Sequence, residues 1–366
     1  MKIENHHQQS LPPAYPDLQS TIQLETPADR AAYTGKLDDS IGQLFGGDLE
    51  DKRSRQRLAM RHRMLDHRYV LDTEEIENFW DIVYDWVGNR KSGLYAYGLH
   101  RQGKTTAMNE VIQYLRDDFP FVAVLHCVGE RNPHQTKKNF CLYLLSEFGY
   151  PIGQIGRNVR PETLLANLLM TACARAGGRQ CVLFIDEAQL FSVTQYRYLL
   201  EIWNEMHRKG FLFGTVLIGQ PDLRLLKELT SESDHGAVVS RFFVKEYGFG
   251  GVKNVEMLTK LLAQFDSRLV YPEGSCWPYS RFFIREGFDH GWRLEQEAPL
   301  LWEALCRVTH EKKSAIKTSG FRMAWIIDAV HSFLVDGMSQ DSKRFRGTID
   351  TWEECIMSGT EAELLL

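Results

Sequence analysis

Gly98-Leu99-His100-Arg101-Gln102-Gly103-Lys104-Thr105, followed by Thr106, decides how this chain is read. The stretch has the form G-x-x-x-x-G-K-[ST], in which a glycine-rich turn wraps phosphate oxygens with backbone N–H groups. Glycines bring the backbone close to the phosphates with no Cβ in the way. A helix starting near Lys104 turns the positive end of its dipole to the same point. The Lys104 ammonium is expected on the β- and γ-phosphates, and the Thr105 hydroxyl on Mg²⁺. Gly98, His100, Arg101, Gln102, Gly103 and Thr106 complete the expected cradle. The flanks agree with this reading. Leu94-Tyr95-Ala96-Tyr97 is a short apolar run, and Ala107, Met108, Val111, Ile112 and Leu115 recur at helical spacing. Strand, loop and helix are the context the motif needs, and they predict a nucleotide-binding protein whose cofactors are ATP and Mg²⁺.

Downstream, Cys181-Val182-Leu183-Phe184-Ile185 is an apolar run that ends in Asp186-Glu187, 82 residues after Lys104. An apolar strand ending in two acids is the form of a Walker B element. Asp186 is expected to orient Mg²⁺, and Glu187 to polarise the water that attacks the γ-phosphate. Between these two elements, Phe121 to Cys127 reads as a strand buried on both faces. A helix from about His134 to Phe148 follows, and another from Pro161 to about Arg175. Lys137 and Lys138 open the first of these, at the end where the dipole disfavours positive charge. They are read either as contacts to DNA phosphates or as ordinary surface lysines.

Beyond the acidic pair, Val193 to Lys209 predicts a helix with Tyr196, Leu199, Leu200, Trp203 and Met206 facing inward. Phe211 to Gly219 predicts a fourth strand, ending at Gln220-Pro221. Gln220 is a candidate for the γ-phosphate, or a turn residue before proline. Ser240-Arg241-Phe242-Phe243-Val244 runs into a fifth strand ending near Gly248. Arg241 reads either as an arginine finger reaching a neighbouring subunit or as a local helix cap. After Gly251 the strand signal stops. Val255 to Val270, Pro299 to about His310 and Phe321 to Val335 read as helices. Arg322, at the start of the last, either folds back onto the nucleotide or is a surface arginine.

Upstream, residues 1 to about 50 are polar, carry Pro12, Pro13 and Pro16, and read as a flexible arm. His6 and His7 lie in this arm as solvated residues. Lys52, Arg53, Arg55, Arg57, Arg61, Arg63 and Arg68 then stand against one acid, Asp66. This segment reads either as a solvated face or as a surface for DNA phosphates or an acidic partner. Asp72-Thr73-Glu74-Glu75 predicts a helix start with Asp72 as the cap, and Gly88 its end. The expected division is an arm (1–50), a helical lead-in (51–90), an α/β domain (91–250), an all-α lid (251–338) and a tail (339–366). The tail carries Trp352 and ends in Leu364-Leu365-Leu366.

The whole chain fits a globular protein: 366 residues, 43% apolar, 25% charged, net charge −5. Its balance does not announce a nucleic-acid binder, so any DNA contact needs a local stripe of positive charge. Cys127, Cys141, Cys173, Cys181, Cys276, Cys306 and Cys355 are scattered and include no C-x-x-C, which indicates neither a disulfide framework nor a zinc site. No apolar run reaches the length of a membrane span and the polar start is no signal peptide, so a cytoplasmic location is expected.

Taken together, these elements resemble the AAA+ ATPase superfamily. The phrases Val182-Leu183-Phe184-Ile185-Asp186-Glu187-Ala188-Gln189 and Leu217-Ile218-Gly219-Gln220-Pro221-Asp222-Leu223 are similar to the TniB/TnsC group of transposition regulators, with MuB and ExeA-type ATPases nearby. Val124 to Tyr150 fits the same group. The resemblance covers roughly residues 55 to 335. It implies a central parallel five-stranded sheet flanked by helices, with a C-terminal all-α lid. It implies ATP-dependent assembly into rings or helical filaments on double-stranded DNA, bacterial and cytoplasmic, linking a target-selection protein to a transposase. By position, Lys104, Thr105, Asp186, Glu187, Gln220, Arg241 and Arg322 match the P-loop, Walker B, sensor 1, finger and sensor 2 sites. Sensor 1 is commonly Asn, Thr or Ser, and Gln220 departs from that pattern. A nucleotide-gated adaptor that binds protein partners without DNA stays open, as does another DNA-remodelling ATPase. A two-domain helicase would need a second RecA-like domain, for which the helical region after residue 250 is too short. A replication initiator would normally append a winged helix, for which the residues beyond Met338 are too few.

Overall fold

The computed structural model describes residues 49–132, 135–156, 159–232, 236–309 and 319–360. The arm expected for residues 1–50, His6 and His7, the helix start at His134 and the apolar end Leu364–Leu366 lie outside the described residues, Leu49 and Glu50 excepted.

The chain opens with α1 (Lys52–Ala59) and α2 (Glu74–Gly88) and enters the sheet at β1 (Gly93–Tyr97). There follow α3 (Lys104–Asp118), β2 (Val122–Val128), α4 (Lys137–Glu147), α5 (Pro161–Arg175), β3 (Gln180–Asp186) and α6 (Val193–Arg208). The α/β part closes with β4 (Leu212–Gly219), α7 (Asp222–Glu232), α8 (Gly236–Phe242) and β5 (Lys245–Gly248). The remainder is helical: α9 (Val255–Asp266), α10 (Tyr279–Phe283), α11 (Arg285–Asp289), α12 (Ala298–Val308), α13 (Met323–Gln340) and α14 (Ile349–Thr360).

The five strands form one parallel sheet in the order β2-β3-β4-β1-β5. Alternation along each strand splits its side chains between two cores. Leu94, Ala96, Val182, Phe184, Val216 and Ile218 face α2 and α3. Tyr95, Leu183, Ile185 and Leu217 face α4, α5 and α6. β3 and β4 are central and buried almost throughout. β2, expected to be buried on both faces, is instead an edge strand, so Val124, Leu125 and His126 are only half-buried and Phe121 is exposed. β5 is the other edge, with Lys245 and Glu246 exposed.

Thr73, not Asp72, caps α2, its hydroxyl accepting from the Ile76 N–H at 3.1 Å. Asp72 lies one residue too early and pairs with Arg268 at 3.2 Å.

The third core belongs to the helical part and recruits both ends of the described chain. Leu58, Met64 and Leu71 pack there with residues of α9, α10 and α13. Arg55 therefore does not join a basic surface. It is buried, donating to the carbonyls of Leu49 (2.7 Å) and Glu50 (3.2 Å), with its guanidinium 5.7 Å from the Trp277 ring. Arg63 and Arg68 pair with Glu273 and Asp66, leaving the expected stripe thinner still. The segment read as a tail from 339 onward supplies α14, whose Trp352 stacks on Phe333 at 4.0 Å and 9°. The indoles of Trp292 and Trp352 both donate to the buried carboxylate of Glu297, at 2.8 and 3.3 Å. The helical part is thus built from residues on both sides of the sheet domain. The chain crosses between them twice, at Leu71–Thr73 and at Phe249–Val252.

Candidate functional site

β1, β3 and β4 end side by side, with Tyr97 opposite Gly219 and Ile185 opposite Leu217. The loops leaving these three tips hold the chemistry. After β1 the backbone turns back through Arg101 (φ 59°) and Gly103 (φ 86°) into α3. Gly103 needs its glycine, because that φ is unfavourable for a residue with a Cβ. The Lys104 side chain lies along the loop and donates to the carbonyls of Gly98 (3.0 Å) and Leu99 (2.7 Å). Burial lowers its pKa, opposed by the nearby charges of Glu187 and Asp186.

Thr105 Oγ1 donates to Asp186 Oδ2 at 2.7 Å. The other carboxylate oxygen of Asp186 accepts from the Glu187 N–H at 2.9 Å. Glu187 sits in a left-handed turn (φ 48°), which swings its side chain out of the strand direction. Gly129 donates its N–H to the Asp186 carbonyl at 2.6 Å, and a Cβ on it would lie 2.3 Å from the Glu187 carbonyl oxygen. The Glu187 carboxylate is held by two side-chain amides: Gln189 Nε2 at 2.6 Å and Gln220 Nε2 at 3.3 Å, both on Oε2. Gln189 also accepts from the Gln220 N–H at 3.1 Å, closing a triangle across β3 and β4.

Beside the phosphate loop lies a cavity of about 930 Å³, within the size range of small-ligand sites. The two chain crossings, Arg101 to Gly103, and Met323 and Ala324 line it. The helical part touches the loop directly. Ala324 N–H donates to the Arg101 carbonyl (3.2 Å) and Gln102 Nε2 to the Ser319 carbonyl (3.2 Å). His100 and Thr106 are exposed on the loop and on the first turn of α3.

The structure therefore brings together Gly98 through Thr106, Asp186, Glu187 and Gln220. Other sequence candidates lie elsewhere. Arg322 stands next to the cavity but turns its guanidinium over the Trp325 ring, at 4.8 Å. Arg241 precedes β5, whose Lys245 lies opposite Leu94 at the start of β1. It is thus at the amino edge of the sheet, roughly 15 Å of strand away from the phosphate loop. Its guanidinium lies 4.7 Å from the Trp203 ring. Lys137 and Lys138 occupy the first turn of α4, beside a cleft of about 900 Å³ that also takes in Arg160, Arg208, Glu201 and Glu205. Lys137 is bonded to Glu201, which raises its pKa. Lys138 makes no ion pair among the described residues.

Sequence reasoning gave no role to Gln189, although it stands two residues from Glu187. It also missed the cavity wall at Leu71–Thr73, for which only the proximity of the α2 cap was a signal.

Residues 88–226 match a family model described as an AAA domain. Among solved structures, the chain is similar to the ORC2 protein of Aeropyrum pernix in its ADPNP–ADP complexes, with TM-score 0.55 and 15% identity over 82% of this chain and 72% of that one. The ADP form of the same protein gives TM-score 0.52 and 15% identity over 82% and 73%. The ORC1 protein of Aeropyrum pernix in complex with DNA gives TM-score 0.46 and 14% identity over 80% and 66%. No curated protein sequence matches the chain. Among the described residues no helix is long and apolar enough to cross a membrane. With its parallel sheet, phosphate loop and helical region set at the loop's mouth, the chain has the AAA+ P-loop fold, and its residues 88–226 are similar to the AAA domain family.

Proposed function

We propose that the cavity and the adjoining strand tips bind ATP, and that the chain acts as an oligomeric, DNA-bound regulator of transposition. The pairing of Thr105 with Asp186 at 2.7 Å, beside a carboxylate held by two amides, carries the catalytic part of this reading. That hydroxyl and carboxylate are an all-oxygen pair suited to Mg²⁺. When bound, the ion neutralises charge on the β- and γ-phosphates. Lys104 exchanges its two loop carbonyls for phosphate oxygens. Glu187 accepts the proton of the attacking water, and Gln189 and Gln220 fix the direction from which it does so. Gln220, already on the Glu187 carboxylate, senses the γ-phosphate by the same amide.

Arg241 cannot serve its own site from the opposite edge of the sheet. In a ring or filament it would project toward the next subunit's γ-phosphate, which makes assembly a condition for turnover. DNA binding and the link to a transposase and a target-selection protein rest on the sequence resemblance of Val182–Gln189 and Leu217–Leu223 to TniB/TnsC regulators. Repetition around an assembly would let a few lysines per subunit, Lys138 among them, add up along the phosphates.

One observation favours the second reading, a nucleotide-gated adaptor without DNA: Lys137 is neutralised by Glu201, and the cleft it lines is of mixed charge. Electron microscopy with duplex DNA separates the two. Rings or filaments with a slowly hydrolysed ATP analogue, but not with ADP, are expected. Dispersed monomers under both conditions would overturn the regulator in favour of the adaptor.

A further inference from the structure

A second group of ligating side chains lies in the wall of the cavity, away from Thr105 and Asp186. Asp328 and His331 are three residues apart on α13 and so share a face of that helix. His67 comes from the segment between α1 and α2. It adopts a left-handed backbone conformation (φ 52°) that residues with a Cβ rarely hold. Its ring lies 4.7 Å from that of His331. One ligating atom from each of the three lies within 4.8 Å of the others. The Tyr69 hydroxyl bonds His331 Nε2 at 2.7 Å and so fixes the orientation of that imidazole.

We propose that His67, Asp328 and His331 bind one divalent transition-metal cation, with zinc as the best match. Two imidazoles and a carboxylate form a three-ligand set of the kind zinc takes, leaving a fourth position for water. Mg²⁺, which prefers oxygen ligands, is poorly served here, so this site is chemically distinct from the Thr105–Asp186 pair. Around a tetrahedral zinc the ligand atoms stand about 3.3 Å apart, given bonds of about 2.0–2.1 Å. His67 is exposed, and binding would require its ring to close in on the other two ligands to that spacing. His67 and Asp328 both line the cavity, so the site borders it. A bound cation would fix the helical part's share of the cavity wall by tying the segment before α2 to α13. The inference goes beyond the nucleotide reading and does not depend on it.

The test uses the full chain, treated with a chelator and titrated with zinc without nucleotide, in wild type, His67→Ala and Asp328→Asn. The expected result is one zinc equivalent present in wild type and weakened at least tenfold in both variants. Zinc should raise the melting temperature of wild type but not of His67→Ala. His67 is exposed, so this variant should keep the native circular dichroism spectrum. Cobalt serves as a second probe, because seven cysteines and other histidines could also take zinc. A visible spectrum lacking a thiolate charge-transfer band, and lost in His67→Ala, supports the site. Equal zinc affinity and stoichiometry in wild type and both variants would overturn it, as would a cobalt spectrum dominated by thiolate.

Discussion

Glu187 is set by three neighbours: the left-handed turn that carries it, and the amides of Gln189 and Gln220 on one carboxylate oxygen. If it is the general base, Glu187→Gln should bind ATP normally and lose roughly 10²–10⁴ in turnover. Single-turnover hydrolysis beside equilibrium nucleotide binding measures both, and normal turnover would remove the role. Gln220→Ala should lower kcat tenfold or more with little change in KM, because it loosens the base without touching the phosphate loop. A different residue contributes to the pH dependence of stability, alongside His331, whose pKa burial pushes down to about 4. His62 is fully buried among Tyr271, Tyr279, Phe282 and Phe283, and accepts from the Met64 N–H at 3.1 Å. Burial, with smaller contributions from the charges of His331 and Arg63, pushes its pKa down to about 3. The folded state therefore binds fewer protons than the unfolded state between about pH 6.5 and 3. Stability is full above that window and falls as pH drops through it. In His62→Phe the slope of unfolding free energy against pH should flatten, as read by denaturant titration at several pH values. An unchanged slope would refute the assignment. At this scale the sequence was legible where a motif fixes spacing, as at Lys104, Thr105, Asp186 and Glu187. Gln189 escaped notice because nothing in one sequence says which oxygen its amide will meet.

Helices with strong end signals were readable almost to the residue. Pro161 at the first position of α5 and the Ser192–Gln195 capping box of α6 each mark a start that backbone chemistry enforces. Burial was less readable, because apolar runs look alike whether a strand lies at the edge or in the centre; β2 was misjudged for that reason. Likewise α14 looked like a tail, since its value lies in partners far along the chain. Trp352 meets Phe333 on α13 and, through its indole N–H, Glu297 ahead of α12. Trp352→Ala should destabilise the protein by about 3–5 kcal/mol, because it removes a stacked aromatic and one donor from a buried carboxylate. Chemical denaturation checks this. A loss below about 1 kcal/mol would mean that α14 is peripheral after all.

Assembly is where the distance between Arg241 and its own phosphate loop matters most. If the arginine works across subunits, Arg241→Ala should still bind ATP but hydrolyse it roughly 10³–10⁵ times more slowly, as when a finger supplied from outside is withdrawn. Mixing Arg241→Ala with Glu187→Gln should then restore part of the activity, since one subunit brings an intact base and its neighbour an intact arginine. No recovery on mixing would place the arginine's effect within one chain. The two crossings at Leu71–Thr73 and Phe249–Val252 carry a last consequence, because both border the cavity. Two bodies joined by a single strand of chain can swivel freely, whereas two separate attachments leave one easy rotation, about the line that joins them. The helical part is in that sense a door hung on a pair of pins. Any rotation about that line would widen or narrow the cavity and carry the start of α13 away from Arg101, breaking the Ala324–Arg101 hydrogen bond.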